Sequence, residues 1–336
     1  MVIINGRHRW LVTGAAGFIG MHLVQSLLKS GQTVRGVDNF ITGHRSRLEY
    51  LKKAVAPENW KNFEFVEGDL TDPSTCDQIC KNIDFVLHQA ALGSVPRSIK
   101  DPISTHRHNV DAFLNILFAA KENRIQRFVF ASSSSVYGDN PILPKKESDF
   151  GKPLSPYAAS KQIDEVYALV FQKSYGIQCI GLRYFNVFGP AQDPEGAYAA
   201  VIPLWIRALL KGESIFINGD GKISRDFCYV DNVVQANIRA ALAAPEATGQ
   251  VYNIACGNKT DLNELFCVLR DEVAKAQPAA AGLMATHRGP RAGDISHSLA
   301  DIDNARKNLG YQPSVLAQEG LSRTVAWFSE NSFLFK

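Results

Sequence analysis

Residues 11–23 read LVTGAAGFIGMHL, and the reading of their glycines decides the fold. LVT closes a short apolar run that begins at Arg9, and Gly14, Gly17 and Gly20 follow at three-residue spacing. Ile19, Leu23 and Leu27 then recur at i, i+4 and i+8 up to Gly31, the pattern of an amphipathic helix with a glycine stop. A strand, a glycine turn and a helix in that order let backbone N–H groups approach a pyrophosphate at the positive end of the helix dipole. A glycine triplet alone is a weak signal. Its place at the head of an alternating pattern makes it a strong one.

That pattern continues outward. RWLVTG (9–14), TVRGVD (33–38), FEFVEG (63–68), FVLHQA (85–90), RFVFAS (127–132) and CIGLRYF (179–185) read as strands, and each of the first four precedes a helical stretch. The expected fold is α/β: a Rossmann-type doubly wound parallel sheet, covered on both faces. Beyond residue 185 the regularity breaks. NVFGPAQDPEGAYAA is loop, VIPLWIRALLKG helix, and SIFINGDGKISRDFCYV two strands around the turn Asn218–Gly221. QVYNIAC reads as a further core strand and AKAQPAAAGLM as a surface loop. The expected division is a nucleotide-binding domain over 1–184 with segments returning near 226–255. A smaller, interleaved C-terminal α/β lobe takes 185–225 and 256–336.

At 336 residues, 46% hydrophobic and 21% charged, the chain has ample material for this core. Its formal charge of +3 is spread without a basic stripe, which argues against nucleic acid and anionic membrane as partners. Six scattered cysteines form no CxxC pair; Cys76 and Cys80 lie one helical turn apart without a second ligand pair, so no metal is expected. MVIINGRHRW lacks the apolar centre of a signal peptide, and no run approaches the roughly 20 apolar residues of a membrane span. A reducing, cytoplasmic compartment fits these features.

Two further features carry chemistry. Asp38 ends the second strand eighteen residues past Gly20, where a carboxylate accepts both ribose hydroxyls and repels a 2′-phosphate. NAD is therefore favoured over NADP; Arg35 and Arg45 are nearby but do not replace the acid. Asp69-Leu70 is placed to touch an adenine edge, or Asp69 or Thr71 simply caps a helix. In SPYAASK, Pro156 starts a helix on which Tyr157 and Lys161, at i and i+4, share a face. A phenol with a pKa near 10 costs roughly 4 kcal/mol to ionise at neutral pH. A neighbouring ammonium removes much of that, which makes the pair a general base.

With TGAAGFIG, VDNF, GDL, HQAAL, ASSSSVYG, SPYAASK, LRYFNVFGP and RDFCYV in place, the chain resembles the extended short-chain dehydrogenases/reductases that act on nucleotide sugars. ALGSVPRSI, GAYAAVIP, INGDGKISRDFCYV and GDISHSLADI make it most similar to the UDP-N-acetylhexosamine 4-epimerases within that family. The resemblance implies a tightly held NAD against Gly14, Gly17, Phe18, Ile19, Gly20, Asp38, Asn39, Asp69, Leu70, Gln89, Ala90, Ala91, Asn109, Tyr157 and Lys161. It implies a UDP-sugar between the lobes against Gly93, Ser133, Ser134, Ser135, Asn186, Gln192, Ala200, Val201, Arg225, Arg291 and Ser298. Tyr157 would be the acid/base, Lys161 would hold the nicotinamide ribose, and Ser133 would bond the sugar 4-oxygen. Arg225 and Arg291 would clamp phosphates; without the resemblance they serve equally as surface ion pairs.

Family members that eliminate water or carbon dioxide resemble one another in carrying an acid within the segment occupied here by Ser132–Ser135. This chain has hydroxyls alone, with Asp139 the nearest acid in sequence. A 4-ketone formed there can only be reduced again, and reduction from the other face inverts C4. Gly93 and Ser298 stand where UDP-galactose/UDP-glucose epimerases resemble one another in larger side chains, which leaves room for an N-acetyl group. His297, by alternation, points away from the ligand. Arg97 would suit a UDP-hexuronate. A UDP-Glc/UDP-Gal epimerase, a dehydrogenase releasing NADH and a non-catalytic NAD-sensing regulator are the remaining readings. The resemblance also implies a homodimer through a four-helix bundle of helices near 105–121 and 156–174; Phe113, Leu117, Val166 and Val170 would suit that seam, and burial in the core explains them equally well.

Overall fold

The computed structural model describes residues 2–195, 199–289 and 297–331. Seven strands form one parallel sheet: β1 (Arg9–Thr13), β2 (Thr33–Asp38), β3 (Phe63–Glu67), β4 (Phe85–His88), β5 (Arg127–Ser133), β6 (Cys179–Tyr184) and β7 (Gln250–Ile254). Their order across the sheet is β7-β6-β5-β4-β1-β2-β3, so the winding reverses between β1 and β4. That reversal opens a crevice at the carboxyl ends of the strands, where α/β sheets bind ligands.

Alternation along each strand feeds two cores. Trp10 and Val12 face one layer while Leu11 faces the other; Val129 opposes Phe128 and Phe130 in the same way. A strand buried on both faces has no polar side to show, which is why these runs read as continuously apolar. A third core lies apart from the sheet. It gathers Ile202, Trp205 and Ile206 from helix Val201–Lys211, Leu265 and Leu269 from helix Leu262–Ala274, and Leu321, Val325 and Phe328 from helix Ala317–Glu330.

Two strands flank the turn Asn218–Gly221 as expected, and each finds its partner elsewhere in the chain. Ile215–Asn218 and Ser224–Arg225 flank a turn but do not pair with each other. The first runs parallel to Ala285–Arg288 and the second antiparallel to Thr260–Asp261. Gly219 and Gly221 both have positive φ, and the Gly221 carbonyl accepts from Leu262 N–H, which anchors the turn to the following helix and splays the strands. The surface loop expected at 274–284 is largely exposed, and within it a 3₁₀ turn, Pro278–Gly282, buries Ala280 against helix Leu262–Ala274. Finally, Phe113 and Leu117 are fully buried beneath the sheet, whereas Val166 and Val170 are exposed.

Candidate active site

The first βα turn shows why its glycines are required. Gly14 has φ +66°, and a Cβ there would lie 3.0 Å from Ala90 N at the end of β4. A Cβ on Gly20 would sit 2.0 Å from Gly14 O, so only glycine lets helix Phe18–Lys29 pack onto the turn. No acid stands in the first turn of that helix, and no side chain caps it, whereas the helices at Pro73 and Pro156 are capped by Asp72 and Ser155. The first-turn N–H groups are left for an anionic ligand.

A cavity of about 460 Å³ opens on this turn. Gly14, Gly17, Phe18, Ile19, Gly20, Asp38, Asn39, Asp69, Leu70, Gln89, Ala90 and Ala91 line it, together with Gly93, Gln192 and Ala200. Asp38 is fixed by its neighbours: Ala16 N–H donates to Oδ2 (3.0 Å) and Phe40 N–H to Oδ1 (2.8 Å). Burial raises its pKa, against the pull of these bonds. Asp69 accepts from Thr71 N–H and Asn39 Nδ2, and Asp72, rather than Asp69 or Thr71, caps the next helix; Asp69 is thereby left on the cavity wall. A turn that admits no Cβ, uncapped N–H groups and a carboxylate at the end of β2 fit a dinucleotide with a free ribose diol.

The floor of this cavity is braced by Thr13, whose Oγ1 accepts from both Gln89 N–H and Ala90 N–H (3.1 Å each). Its hydroxyl proton is then free to go to His88 Nδ1, 2.9 Å away. Burial pushes His88 down to about 3, so the imidazole is neutral. Asn109 does not line the cavity. It is buried, its amide engaged with Leu92 N–H, Leu92 O and Ser160 Oγ.

A second cavity of about 380 Å³ shares Ala199 and Ala200 with the first. Asn186, Val201 and Arg225 line it, with Phe188, Trp205, Phe216 and Phe227 among the apolar walls. Asn186 adopts φ +36° and donates from Nδ2 to Asp226 O (3.0 Å). Ser298 lines neither cavity; its N–H donates to Ser224 O, and exposed His297 meets Ser224 Oγ through Nδ1 at 2.9 Å. Arg291 lies outside the described residues.

Tyr157 and Lys161 occupy the first turns of helix Pro156–Tyr175, with Ser155 as the N-cap. Tyr157 is half-buried and Lys161 buried. Neither they nor Ser133 are among the lining residues of the two cavities. The serine run divides by task. Ser132 donates to Glu165, Ser133 Oγ accepts from Ser135 N–H to start the turn Ser134–Tyr137, and Ser135 Oγ is buried with no hydrogen-bond partner among the described residues. Glu165 is the acid that folding brings to the serines, and Arg183 grips both its oxygens at 2.8–2.9 Å. Asp139 accepts from Lys152 N–H (2.8 Å).

Sequence reading passed over Arg47. Arg35 and Arg45 pair with Glu64 and Glu67 at the surface. Arg47 instead is buried on the first cavity, donating to Ala16 O in the glycine turn (3.1 Å) and twice to Ala191 O (2.9 and 3.1 Å). Burial pulls its pKa down to about 10. A signal was present: Arg47 shares a helical face with buried Leu51, at i and i+4.

The profile of the NAD dependent epimerase/dehydratase family matches residues 10–255. The UDP-glucose 4-epimerase of Mycolicibacterium smegmatis is 38% identical over 96% of this chain and 99% of its own length. Among solved structures, a UDP-N-acetylglucosamine 4-epimerase from Methanobrevibacter ruminantium, in complex with UDP-N-acetylmuramic acid, superposes with TM-score 0.87 at 40% identity, over 96% of this chain and 99% of that one. A UDP-glucuronic acid 4-epimerase from Bacillus cereus, with UDP-glucuronic acid and NAD, does so with TM-score 0.85 at 30% identity and the same coverage.

Proposed function

The chain belongs to the NAD-dependent epimerase/dehydratase family, and from that membership we propose that it inverts C4 of UDP-hexoses, with UDP-N-acetylhexosamines as its preferred substrates. NAD is its cofactor, and when bound it supplies a reversible two-electron acceptor. The observation that carries inversion rather than elimination is the chemistry at the end of β5. The hydroxyls of Ser132–Ser135 stand there, and Glu165, the one acid hydrogen-bonded to them among the described residues, meets Ser132 and is locked on Arg183. Tyr157 takes the proton from the 4-hydroxyl and later returns it, Lys161 lowers the cost of the phenolate, and Ser133 holds the oxygen. With no other carboxylate hydrogen-bonded to these hydroxyls among the described residues to move a second proton, the 4-ketosugar is reduced again, and reduction from its other face inverts C4.

The preference for an acetylated sugar rests on space. Gly93 lines the first cavity, and a Cβ built there would meet nothing within 4 Å. The 40% identity to a protein described as a UDP-N-acetylglucosamine 4-epimerase supports the same reading. A UDP-hexuronate is the second reading, favoured by Arg97 on the cavity wall. The nucleotide would lie along the second cavity, with Asn186 and Arg225 at the diphosphate and Arg291 as a further clamp. Ser298 would stand beside the sugar. The proposed assembly is a homodimer through the exposed apolar face of Ile99, Ile103, Phe118, Val166, Leu169 and Val170.

The test is to incubate the purified protein, without added NAD, with UDP-GlcNAc, UDP-Glc and UDP-GlcA separately and follow C4 inversion by proton NMR. Fastest conversion of UDP-GlcNAc is expected. Equal rates on UDP-Glc would remove the acetyl preference, and fastest conversion of UDP-GlcA would install the second reading. Tyr157→Phe should cut kcat by roughly 10²- to 10⁴-fold while the bound NAD content stays unchanged.

A further inference from the structure

The helix that carries Tyr157 and Lys161 holds a third ionisable group that the reaction above leaves unused. Asp164 has no exposed side-chain surface, and its Oδ2 accepts from Lys161 Nζ at 3.0 Å. Its Oδ1 is buried with no hydrogen-bond partner among the described residues. Tyr157, Lys161 and Asp164 stand at i, i+4 and i+7, along one face of the helix. A carboxylate removed from water is costly unless paired, so a buried one beside a lysine of the base constrains that lysine strongly.

The groups acting on the pair come from several elements. Tyr157 and Glu165 lie on the same helix, and both raise the affinity of Lys161 for its proton. Glu165 is itself held by Arg183 of β6 and Ser132 of β5. His88 of β4 lies within electrostatic reach of Lys161 and stays neutral. From the adjoining segment Arg107–Asp111, Asn109 meets Ser160 with an uncharged amide.

An ammonium has three N–H donors, and Asp164 takes one, which fixes the torsion of the group and leaves two. The charge matters as much as the bond. Lys161 beside an ionised Asp164 acts on Tyr157 as a dipole, whose field fades faster than that of a lone cation. Resting on the reading of Tyr157 as the acid/base, we propose that Asp164 is a positioning residue for it. Through Lys161 it orients the ammonium, offsets part of its charge, and sets the pH at which Tyr157 becomes a phenolate. Burial pushes the Asp164 carboxyl up to about 7. Although burial alone would lower it, Lys161 is held above its usual value by Asp164 and stays charged. The moderating charge therefore comes and goes near neutrality, while the ammonium it moderates does not.

The sign of the effect follows. Removing the negative charge strengthens the positive field at Tyr157, stabilises the phenolate and lowers the pH of its ionisation. The experiment is a tyrosinate absorbance titration of the NAD-loaded protein and of its Asp164→Asn variant, each corrected by the same titration with Tyr157→Phe added. The Tyr157 step should move down by about one pH unit in D164N. The acid limb of the kcat profile should move with it, and KM should change less than about twofold. Asp164→Ser, small and neutral, is the second variant should the amide not yield folded holoenzyme, with the same shift expected. An unmoved Tyr157 step in a folded variant overturns the proposal and reduces Asp164 to a packing partner. The titration needs no substrate. A protein that turns over no UDP-sugar but shows the shifted step would refute the substrate reading and sustain this one.

Discussion

The two cavities that meet at Ala199 and Ala200 are built in opposite ways. The first takes most of its walls from runs of three to six residues that follow β1, β2, β3 and β4, with Gln192, Asp193, Ala199 and Ala200 closing it from a distant segment. The second draws on 186–188, 199–205, 216–227 and Leu262, segments that come together only when the third core forms. The first is secured by backbone geometry that each turn supplies for itself. The second depends on distant pieces docking. Arg47 ties them, with its guanidinium between the glycine turn and Ala191.

Substitutions can break this contrast. Gly20→Val should have the largest effect, because its Cβ would overlap Gly14 O and no rotamer relieves a backbone clash. A loss of at least about 3 kcal/mol is expected in thermal or urea unfolding, with little NAD retained on purification. A stable, NAD-loaded G20V would show the turn to be far more yielding than its geometry implies. Arg47→Ala strips the Ala191 carbonyl of both guanidinium donors and leaves Ala16 O with His44 N–H alone, and should cost roughly 1–3 kcal/mol. Both cavities should suffer together: faster NAD release and a raised KM for the UDP-sugar. Loss of one without the other would mean that the two halves are independent.

Acid should attack the first cavity through His88. Its folded pKa, about 3, lies below the ordinary 6.5. Below 6.5 the unfolded chain takes up a proton that the folded chain refuses, so stability is full above that pH and is lost progressively towards 3. At pH 5 the loss is about 2 kcal/mol. Melting curves across this range should show it, and His88→Asn should flatten them whatever its effect at neutrality. The smallest effect is expected from Arg225→Ala, confined to the second cavity: KM up about tenfold, with kcat and NAD content little changed. Loss of NAD in that variant would erase the division between the cavities.

Much of the fold was legible because it is periodic. The glycine turn, Asp38 and the Tyr157–Lys161 pair are all fixed by spacing within one element, and all lie where spacing placed them. The two strands around Asn218–Gly221 were legible but their partners were not, because turn residues mark a change of direction without naming the partner of either strand. Asp164 illustrates the same limit within a helix. Its spacing from Lys161 was visible, but its isolation from water was not. Arg45 and Arg47 are two residues apart and chemically identical, yet one stacks on Phe40 at the surface and the other is buried.

The sequence by itself determined the sheet, the glycine turn and the placing of Tyr157 and Lys161 one turn apart on a helix, since each rests on interactions within a few residues or on a hydrophobic period. Tertiary structure alone decided which carboxylates are neutralised, which arginine is drawn inside and where the second cavity lies. Those outcomes depend on desolvation, and a group is desolvated by whatever packs over it, which can come from any part of the chain.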